Sequence, residues 1–381
     1  MALRTQQAHA PALWAGGGEA LESGVSAEMT SLELFAGAGG LALGAARAGF
    51  RTVAAVERDP ACAETLRANS LPVVEADASA VDFSQWTGVY LVSGGPPCQP
   101  WSGAGRHGGQ SDARDMFPTL VRAVREARPW LALVENVKGL LRPKFGEYLR
   151  YILTQLSRPS VAPLDGEPVA SHMSRLAESP PEYHVVHGLL NAADFGVPQA
   201  RERVFILASR DGDTPRMPAP THSLRALLRD QWGTDGPYWA RHGLSPPGGQ
   251  PAGMSGRIAA ALAGGDDGLL PWRTVRDAIS DIMSAAPPRP AKSYKGHTGS
   301  GLDMPSKTLK AGVHGVPGGE NMVRAPDGDR HYTATEAARI QGFPDDWRFP
   351  HAWTTCMRQI GNAVPPPLAE AVTRPLATQR R

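Results

Sequence analysis

The sequence predicts an α/β protein in which a parallel β-sheet is covered by helices and joined to a second, smaller domain rich in loops. Between Ser31 and Arg210, short apolar runs alternate with helical patterns, as is typical of a parallel sheet flanked by helices. From Asp213 to Asp327 this regularity weakens, and proline and glycine dominate several stretches. A chain of 381 residues is long enough for one large α/β domain and a smaller one.

The predicted strands are short apolar runs, and the predicted helices show an amphipathic period. The strands are expected at residues 31–35, 52–57, 89–93, 130–135 and 204–209. The helices are expected at residues 41–48, 60–69, 117–127, from 145 toward 156, 333–341 and 366–374. Residues 157–182 contain five prolines and no clear period, so we expect a surface insertion there.

The composition is ordinary for a soluble globular protein, with 41% hydrophobic and 20% charged residues. No apolar run is long enough to span a membrane. Residues 1–28 lack the apolar core of a signal peptide, so we expect this segment to be a loose extension. Cys62, Cys98 and Cys356 have no metal-ligand spacing and are too few for a disulfide framework. We therefore expect a cytoplasmic protein without a bound metal. The net charge of +2 permits a nucleic-acid partner without indicating one.

A glycine-rich turn follows the first predicted strand, where residues 33–40 read Glu-Leu-Phe-Ala-Gly-Ala-Gly-Gly. The glycines allow close approach of a ligand and leave helix N–H groups free for an anion. The turn could bind NAD, FAD or S-adenosylmethionine, or it could be a tight turn without a ligand. It lacks the Gly-x-Gly-x-x-Gly spacing that is usual for dinucleotide binding. Phe35 is placed to stack on adenine, Glu57 to accept both ribose hydroxyls, and Asp77 to meet the adenine amino group.

Cys98 follows a predicted strand and two prolines, in the segment Gly-Gly-Pro-Pro-Cys-Gln-Pro at residues 94–100. The two prolines hold a rigid, extended approach at the edge of the sheet where open α/β proteins carry their sites. A lone cysteine is most often a small buried hydrophobic residue, and we expect that of Cys62 and Cys356. For Cys98 the surrounding residues favour a reactive thiol.

Two further polar groups are predicted at the same edge of the sheet. Glu135 ends an apolar strand and could hold the ring N3 and exocyclic amine of a pyrimidine; as an alternative it is a solvated acid. Arg201 and Arg203 flank Glu202 at the entry to a strand, so both guanidinium groups should point to one face. They could hold a carboxylate, a phosphate or the base O2, or form a surface salt-bridge ladder.

Together these residues suit methylation of cytosine at C5, a carbon that is a poor nucleophile until a group adds across the C5–C6 bond. A Cys98 thiolate attacking C6, with Glu135 at N3, would activate C5 to take a methyl group from a sulfonium. Loss of the C5 proton would then expel the thiolate. The base must leave the duplex, because C6 is unreachable within the stack.

The sequence resembles the bacterial DNA (cytosine-5) methyltransferases over about residues 31–210 and 330–374. The resemblance rests on several blocks that occur in family order. They are Phe35-Ala-Gly-Ala-Gly-Gly40, Pro97-Cys98-Gln99, Asp112-Ala-Arg-Asp-Met-Phe117, Glu135-Asn136-Val137, Gln199-x-Arg201-x-Arg203, Thr333-Ala-Thr-Glu336-Ala-Ala-Arg339-Ile-Gln-Gly-Phe343-Pro and Gln359-Ile-Gly-Asn362-Ala-Val. Asp115 departs from the family pattern, which has Asn there.

The resemblance implies a Rossmann-like S-adenosylmethionine-dependent methyltransferase domain at residues 29–212 and 329–381, with a loop-rich target-recognition domain at residues 213–328. It implies the catalytic residues Cys98, Glu135, Arg201 and Arg203. It implies cofactor contacts from Phe35, Ala36, Gly37, Gly39, Gly40, Glu57, Arg58, Asp77, Ala78, Pro96, Asn362 and Ala363.

The substrate expected from the resemblance is duplex DNA. The enzyme would be a monomer near the nucleoid, either the partner of a restriction endonuclease or an orphan methylase. A tRNA substrate is an alternative, but the long recognition region favours DNA. A catalytically inactive cofactor-binding or DNA-binding regulator is disfavoured by the intact Cys98, Glu135, Arg201 and Arg203. A nicotinamide dehydrogenase would have no use for the Pro-Pro-Cys-Gln segment.

Overall fold

The structure is a computed structural model that describes residues 28–97, 115–210, 213–234, 236–283, 289–290, 298–311, 321–326 and 328–378. Its strands are β1 Thr30–Leu34, β2 Arg51–Glu57, β3 Val73–Glu75, β4 Leu91–Gly94, β5 Leu131–Val137, β6 Tyr183–Asn191, β7 Glu202–Arg210, β8 His222–Ser223, β9 Leu270–Pro271, β10 Arg289–Pro290, β11 Met322–Ala325 and β12 Gly328–His331. Its α-helices are α1 Gly40–Arg47, α2 Pro60–Ala68, α3 Phe117–Ala127, α4 Gly146–Ser157, α5 Val169–Glu178, α6 Leu224–Trp232, α7 Tyr238–Arg241, α8 Ser255–Ala263, α9 Val275–Ile279, α10 Ala334–Gln341, α11 Trp353–Asn362 and α12 Pro366–Thr378.

A seven-stranded sheet in the order β3-β2-β1-β4-β5-β7-β6 forms the centre of the molecule. The first five of these strands are parallel, whereas β7 runs antiparallel to both β5 and β6. The prediction of a wholly parallel sheet was therefore wrong for this side. An antiparallel neighbour needs no crossover helix, and a short turn at residues 192–201 joins β6 to β7.

Apolar layers cover both faces of the sheet, which explains why its inner strands are largely buried. Leu32 and Leu34 of β1 face a core shared with α3 and α4. Leu91 and Leu133 face the opposite core, which includes α1 and α12. The predicted strands match β1, β2, β4, β5 and β7 to within a few residues. The predictions missed β3, which has three residues, and the edge strand β6, whose side chains are mostly partly exposed.

Helix α12 returns from the C-terminus to pack against α1, and glycine permits the close approach. A Cβ atom on Gly44 would lie 2.3 Å from the Cβ of Ala369, and one on Gly40 would lie 2.1 Å from the carbonyl oxygen of Val364. The C-terminal chain is therefore part of the main domain in space. The helices predicted at residues 333–341 and 366–374 are confirmed as α10 and α12, and Ala337 and Ile340 are fully buried.

The predicted insertion at residues 157–182 contains helix α5, which the sequence analysis did not predict. His172 of α5 is fully buried, with one ring nitrogen 2.8 Å from the Tyr151 hydroxyl and the other 2.8 Å from the Val161 carbonyl. Glu167 forms a two-point ion pair with Arg175, at 2.7 Å for each contact. Polar contacts within the insertion and with Tyr151 of α4 thus stabilise it, and apolar periodicity does not reveal them.

The described part of residues 213–328 contains short helices and two- to four-residue strands joined by irregular segments. Buried polar contacts hold it together: the Tyr238 hydroxyl lies 2.9 Å from Asp303, and Arg276 pairs with the same carboxylate at 2.6 Å. Among all the residues that the structure describes, no helix is long and apolar enough to cross a membrane.

Candidate active site

The antiparallel direction of β7 decides which residues meet at the catalytic edge of the sheet. In the β5–β7 register, Val137 at the end of β5 lies opposite Arg203 at the start of β7. The amino end of β7 thus reaches the edge at which the parallel strands end. The sequence predicted that Glu135 and Arg203 share this edge, and the structure brings them together.

Glu135 and Arg203 form a largely buried ion pair. The Nε of Arg203 lies 2.8 Å from Oε1 of Glu135, and the two side chains are only 14% and 11% exposed. Burial raises the pKa of Glu135 above its usual range, while the positive charges of Arg203 and Arg201 oppose the rise. The carboxyl is thus desolvated and oriented, whereas the sequence analysis had left open that it was a solvated acid.

The segment leading to Cys98 runs directly beside Glu135. A Cβ atom on Gly95 would lie 3.0 Å from Oε2 of Glu135, and Nδ2 of Asn136 donates to the Pro96 carbonyl at 3.1 Å. The described chain stops at Pro97, so Cys98 and residues 99–114 lie outside the described residues. Cys62 and Cys356 are buried as predicted, and burial raises the pKa of Cys62 to about 12.

Arg201 takes different partners from Arg203, although the sequence predicted that both guanidinium groups point to one face. Arg201 is 1% exposed and donates to the main-chain carbonyls of Leu309, Gly361 and Ala363 at 3.1, 2.8 and 3.2 Å. It precedes the first residue of β7, so the alternation of a strand does not govern its direction. The two guanidinium groups therefore have different hydrogen-bond partners, although both are close enough to Glu135 to affect its pKa.

The glycine-rich turn and Glu57 meet at the part of the sheet edge formed by β1 and β2. We call this part the cofactor half, because the sequence predicts the cofactor there. Oε2 of Glu57 accepts from the main-chain N–H of Gly37, and Oε1 accepts from that of Asp59, both at 2.8 Å. Phe35 and Gly37 both have a φ of 55° and Gly39 one of 81°, so three residues at the strand end adopt the left-handed region. The turn is therefore bent toward the carboxylate of Glu57.

Asp77 lies just beyond β3 and begins a short turn that contains Ala78. Its Oδ1 accepts from the Ser79 main chain at 2.9 Å and from the Ser79 hydroxyl at 2.6 Å, and Arg58 lies 3.3 Å from Oδ2. The Ser79 hydrogen bonds hold the pKa of Asp77 below its usual range. Asp77 is thus an oriented anion, and Ala78 is buried beside it.

The last sequence block lies between the two halves of the edge. Gly40 of the cofactor turn packs on Val364, while Ala363 accepts the hydrogen bond from Arg201. Asn362 is the exposed last residue of α11. This helix is also tied to α2, because Arg358 pairs with Asp59 at 2.5 Å. The C-terminal block thus connects the predicted cofactor and catalytic residues.

Three sets of contacts at the site were not predicted from the sequence. Glu33 is 2% exposed within β1, and its Oε2, like the Oγ of its register neighbour Ser93, has no hydrogen-bond partner among the described residues. The acidic residue between two buried leucines of β1 was the signal for Glu33.

Asp115, the departure from the family pattern, accepts hydrogen bonds from the Phe117 main-chain N–H at 3.1 Å and from the Tyr148 hydroxyl. The third set is made by residues 306–311, which contact the arginine block.

Comparison with known proteins agrees with this geometry. The sequence model for C-5 cytosine-specific DNA methylases matches residues 29–159, 167–232 and 273–378. The chain is 32% identical over 350 residues to the type II methyltransferase M.NgoMIV of Neisseria gonorrhoeae, a match that covers 91% of this chain and 96% of that protein. It is 36% identical over 274 residues to M.AquIA of Picosynechococcus sp., which covers 68% of this chain and 92% of that protein.

Among solved structures, the Dnmt2 methyltransferase of S. pombe matches 92% of this chain and 99% of its own, with a TM-score of 0.59 and 17% identity. That likeness shows the fold, and it confirms the predicted Rossmann-like methyltransferase architecture. The family match confirms the predicted enzyme class, with S-adenosylmethionine as methyl donor and DNA cytosine as acceptor. The chain belongs to the C-5 cytosine-specific DNA methylase family.

Proposed function

We propose that this enzyme methylates a flipped cytosine within a specific duplex DNA sequence through a covalent bond between Cys98 and C6 of the base. The observation that carries the proposal is the buried Glu135–Arg203 pair beside the Gly95–Pro97 segment that leads to Cys98. A desolvated carboxyl next to the approach to a thiol suits a pyrimidine ring that must be held at N3 while C6 is attacked.

In this mechanism the thiolate of Cys98 forms a bond to C6, and the electron pair of the C5–C6 bond becomes available at C5. Glu135, whose pKa burial raises above its usual range, would donate a hydrogen bond or a proton at N3. Arg203 fixes the carboxyl and contacts the base O2. Once C5 has accepted the methyl group that bound S-adenosylmethionine would supply, loss of the C5 proton re-forms the C5–C6 double bond and releases the thiolate by β-elimination.

The residues of the cofactor half fit S-adenosylmethionine. A Cβ atom on Gly37 would meet only the Phe35 carbonyl oxygen, at 4.0 Å, so there is open space beside this glycine. Each Glu57 oxygen keeps a lone pair beyond its main-chain hydrogen bond. Glu57 would hold the ribose hydroxyls, Asp77 the adenine amino group, and Phe35 the adenine face. Ala36, Gly39, Gly40, Arg58, Ala78, Pro96, Asn362 and Ala363 would complete the pocket. When bound, the cofactor supplies an electrophilic methyl group to C5.

The biological setting that we propose is a restriction-modification system, as the type II relatives suggest, or an orphan methylase. Residues 213–328 would recognise the target sequence. One flipped base per chain requires no dimer, so we propose a monomer that acts in the cytoplasm at the nucleoid.

The test compares wild type with Cys98→Ser, using labelled S-adenosylmethionine and either duplex DNA or tRNA. Wild type should label C5 of cytosine in duplex DNA and form a gel-stable adduct with 5-fluorocytosine DNA, because fluorine cannot leave as a proton. Cys98→Ser should do neither. Equal labelling by both proteins would refute the covalent mechanism, and labelling of tRNA alone would refute the duplex substrate. Bisulfite sequencing of a plasmid propagated with the gene would identify the methylated sequence.

A further inference from the structure

Residues 306–311, here called the recognition segment, lie in the region proposed to recognise DNA and extend along the arginine block. The Ser306 N–H donates to the Pro198 carbonyl at 2.9 Å, and the Ala200 N–H donates back to the Ser306 carbonyl at 2.8 Å. The Thr308 hydroxyl donates to the Ala200 carbonyl at 2.7 Å. The segment is thus bonded to the two residues that flank Gln199.

Gln199 connects this segment to helix α10. Its side-chain oxygen accepts from the Leu309 N–H at 2.9 Å, and its amide nitrogen donates to Oε1 of Gln341 at 2.6 Å. Gln341 in turn donates to the Ala363 carbonyl at 2.5 Å. Gln199 and Gln341 are both fully buried, so these bonds are shielded from water.

Arg201 closes the same network from the other side. Its guanidinium bonds one carbonyl of the recognition segment, that of Leu309, and two at the end of α11, those of Gly361 and Ala363. The planar, multidentate guanidinium suits several carbonyls at once, which a lysine ammonium on its flexible stem does not. The approach is close, because a Cβ atom on Gly361 would lie 2.5 Å from the Ala311 nitrogen.

The guanidinium of Arg201 is also unusual for a cation, because it is buried. Burial lowers its pKa well below the usual range and the neighbouring Arg203 adds to this, while Glu135 acts in the opposite direction. Its Nε has no hydrogen-bond partner among the described residues. Burying a cation against neutral carbonyls is costly, so a position that needed only packing would be better filled by an apolar side chain.

We propose that Arg201, together with Gln199, is a positioning residue that couples the recognition segment to the Glu135–Arg203 pair and does not itself touch the base. Arg201 is two residues before Arg203, so the bonds that fix its backbone also set where β7 begins. The same network accompanies the 2.8 Å contact between Arg203 and Glu135, so loosening the recognition segment should loosen that contact. This inference rests on the proposed catalytic role of that pair, and a misplacement of about 1 Å there costs about 10²-fold in rate.

The experiment compares Arg201→Lys, Thr308→Val and the double variant by single-turnover methylation and by the rate of adduct formation on 5-fluorocytosine DNA. Thr308→Val is the milder change, removing only the bond to Ala200. The matched control is Arg210→Lys, since Arg210 lies at the far end of β7 and also donates to a main-chain carbonyl, that of Arg128. Thermal unfolding confirms that each variant is folded.

Arg201→Lys should slow the chemical step about 10- to 10²-fold, with KM for S-adenosylmethionine unchanged within about twofold and the control close to wild type. The double variant should be no slower than Arg201→Lys, because both changes break one network. Multiplying effects, or a wild-type rate for Arg201→Lys, would overturn the proposal. A Glu135→Gln arm separates the two claims: if that variant keeps the wild-type rate, the proposed function of the pair fails instead.

Discussion

The two acids at the ends of β2 and β5 are held in different ways. Glu57 is bound by main-chain N–H groups of Gly37 and Asp59, which lie 20 and 2 residues away along the chain. Glu135 is bound by the side chain of Arg203, whose position depends on an antiparallel strand and on the contacts of Arg201 with residues 309, 361 and 363.

This difference separates Glu57, which is held by main-chain groups within 20 residues along the chain, from Glu135, whose partner is positioned by distant parts of the chain. Changes in the recognition region should therefore disturb Glu135 and Arg203 and leave Glu57 in place.

The largest effect is expected from Glu135→Gln. A glutamine keeps the shape of the side chain but cannot hold or transfer the N3 proton, so single-turnover methylation should fall about 10²-fold or more. Binding of S-adenosylmethionine, measured by calorimetry, should stay within about twofold. Glu202→Gln is the control, since Glu202 lies at the same edge but is half-exposed and paired with Lys138. Equal losses in both variants would remove the special role of Glu135.

A smaller effect, and on the opposite half, is expected from Glu57→Gln. Replacing one carboxylate oxygen weakens the proposed ribose contacts and one of the two main-chain bonds, so the Kd for S-adenosylmethionine should rise about tenfold. At saturating cofactor the methylation rate should return to near the wild-type value. Glu75→Gln at the end of the neighbouring strand, where Glu75 pairs with Arg67, should leave the Kd unchanged. A loss of rate that cofactor cannot restore would contradict the division into two halves.

The smallest effect concerns the stability of the cofactor half. Burial raises the pKa of Glu33 well above its usual 4.5, and the nearby Glu57 adds to the rise. As pH increases above about 4.5, the Glu33 carboxyl loses its proton in the unfolded chain but keeps it in the folded protein. The free energy of unfolding therefore falls as pH rises from there to the folded-state pKa. In urea unfolding, the free energy of unfolding of wild type should fall by about 1 kcal/mol or more between pH 5 and pH 8 relative to that of Glu33→Gln. Identical pH dependence in the two proteins would show that Glu33 is not held neutral.

Much of the fold was predictable because its signals are local. The apolar runs of β1, β4 and β5 and the amphipathic period of α3 and α10 each lie within about a dozen residues. Helix α5 and strand β6 were missed because buried polar contacts and a half-exposed edge leave no continuous apolar pattern. The predicted domain limits and site roles stay predictions, and Cys98 lies outside the described residues.

The sequence by itself determined the glycine turn, the acids at the strand ends and the order of the blocks that carry the chemistry, since each is written in a short stretch of residues. Only the tertiary structure decided that β7 is antiparallel and that Arg203 therefore meets Glu135. It also decided that Arg201 donates to carbonyls more than 100 residues along the chain. A guanidinium is directed by the acceptors around it, and those acceptors come from segments whose proximity no local pattern encodes.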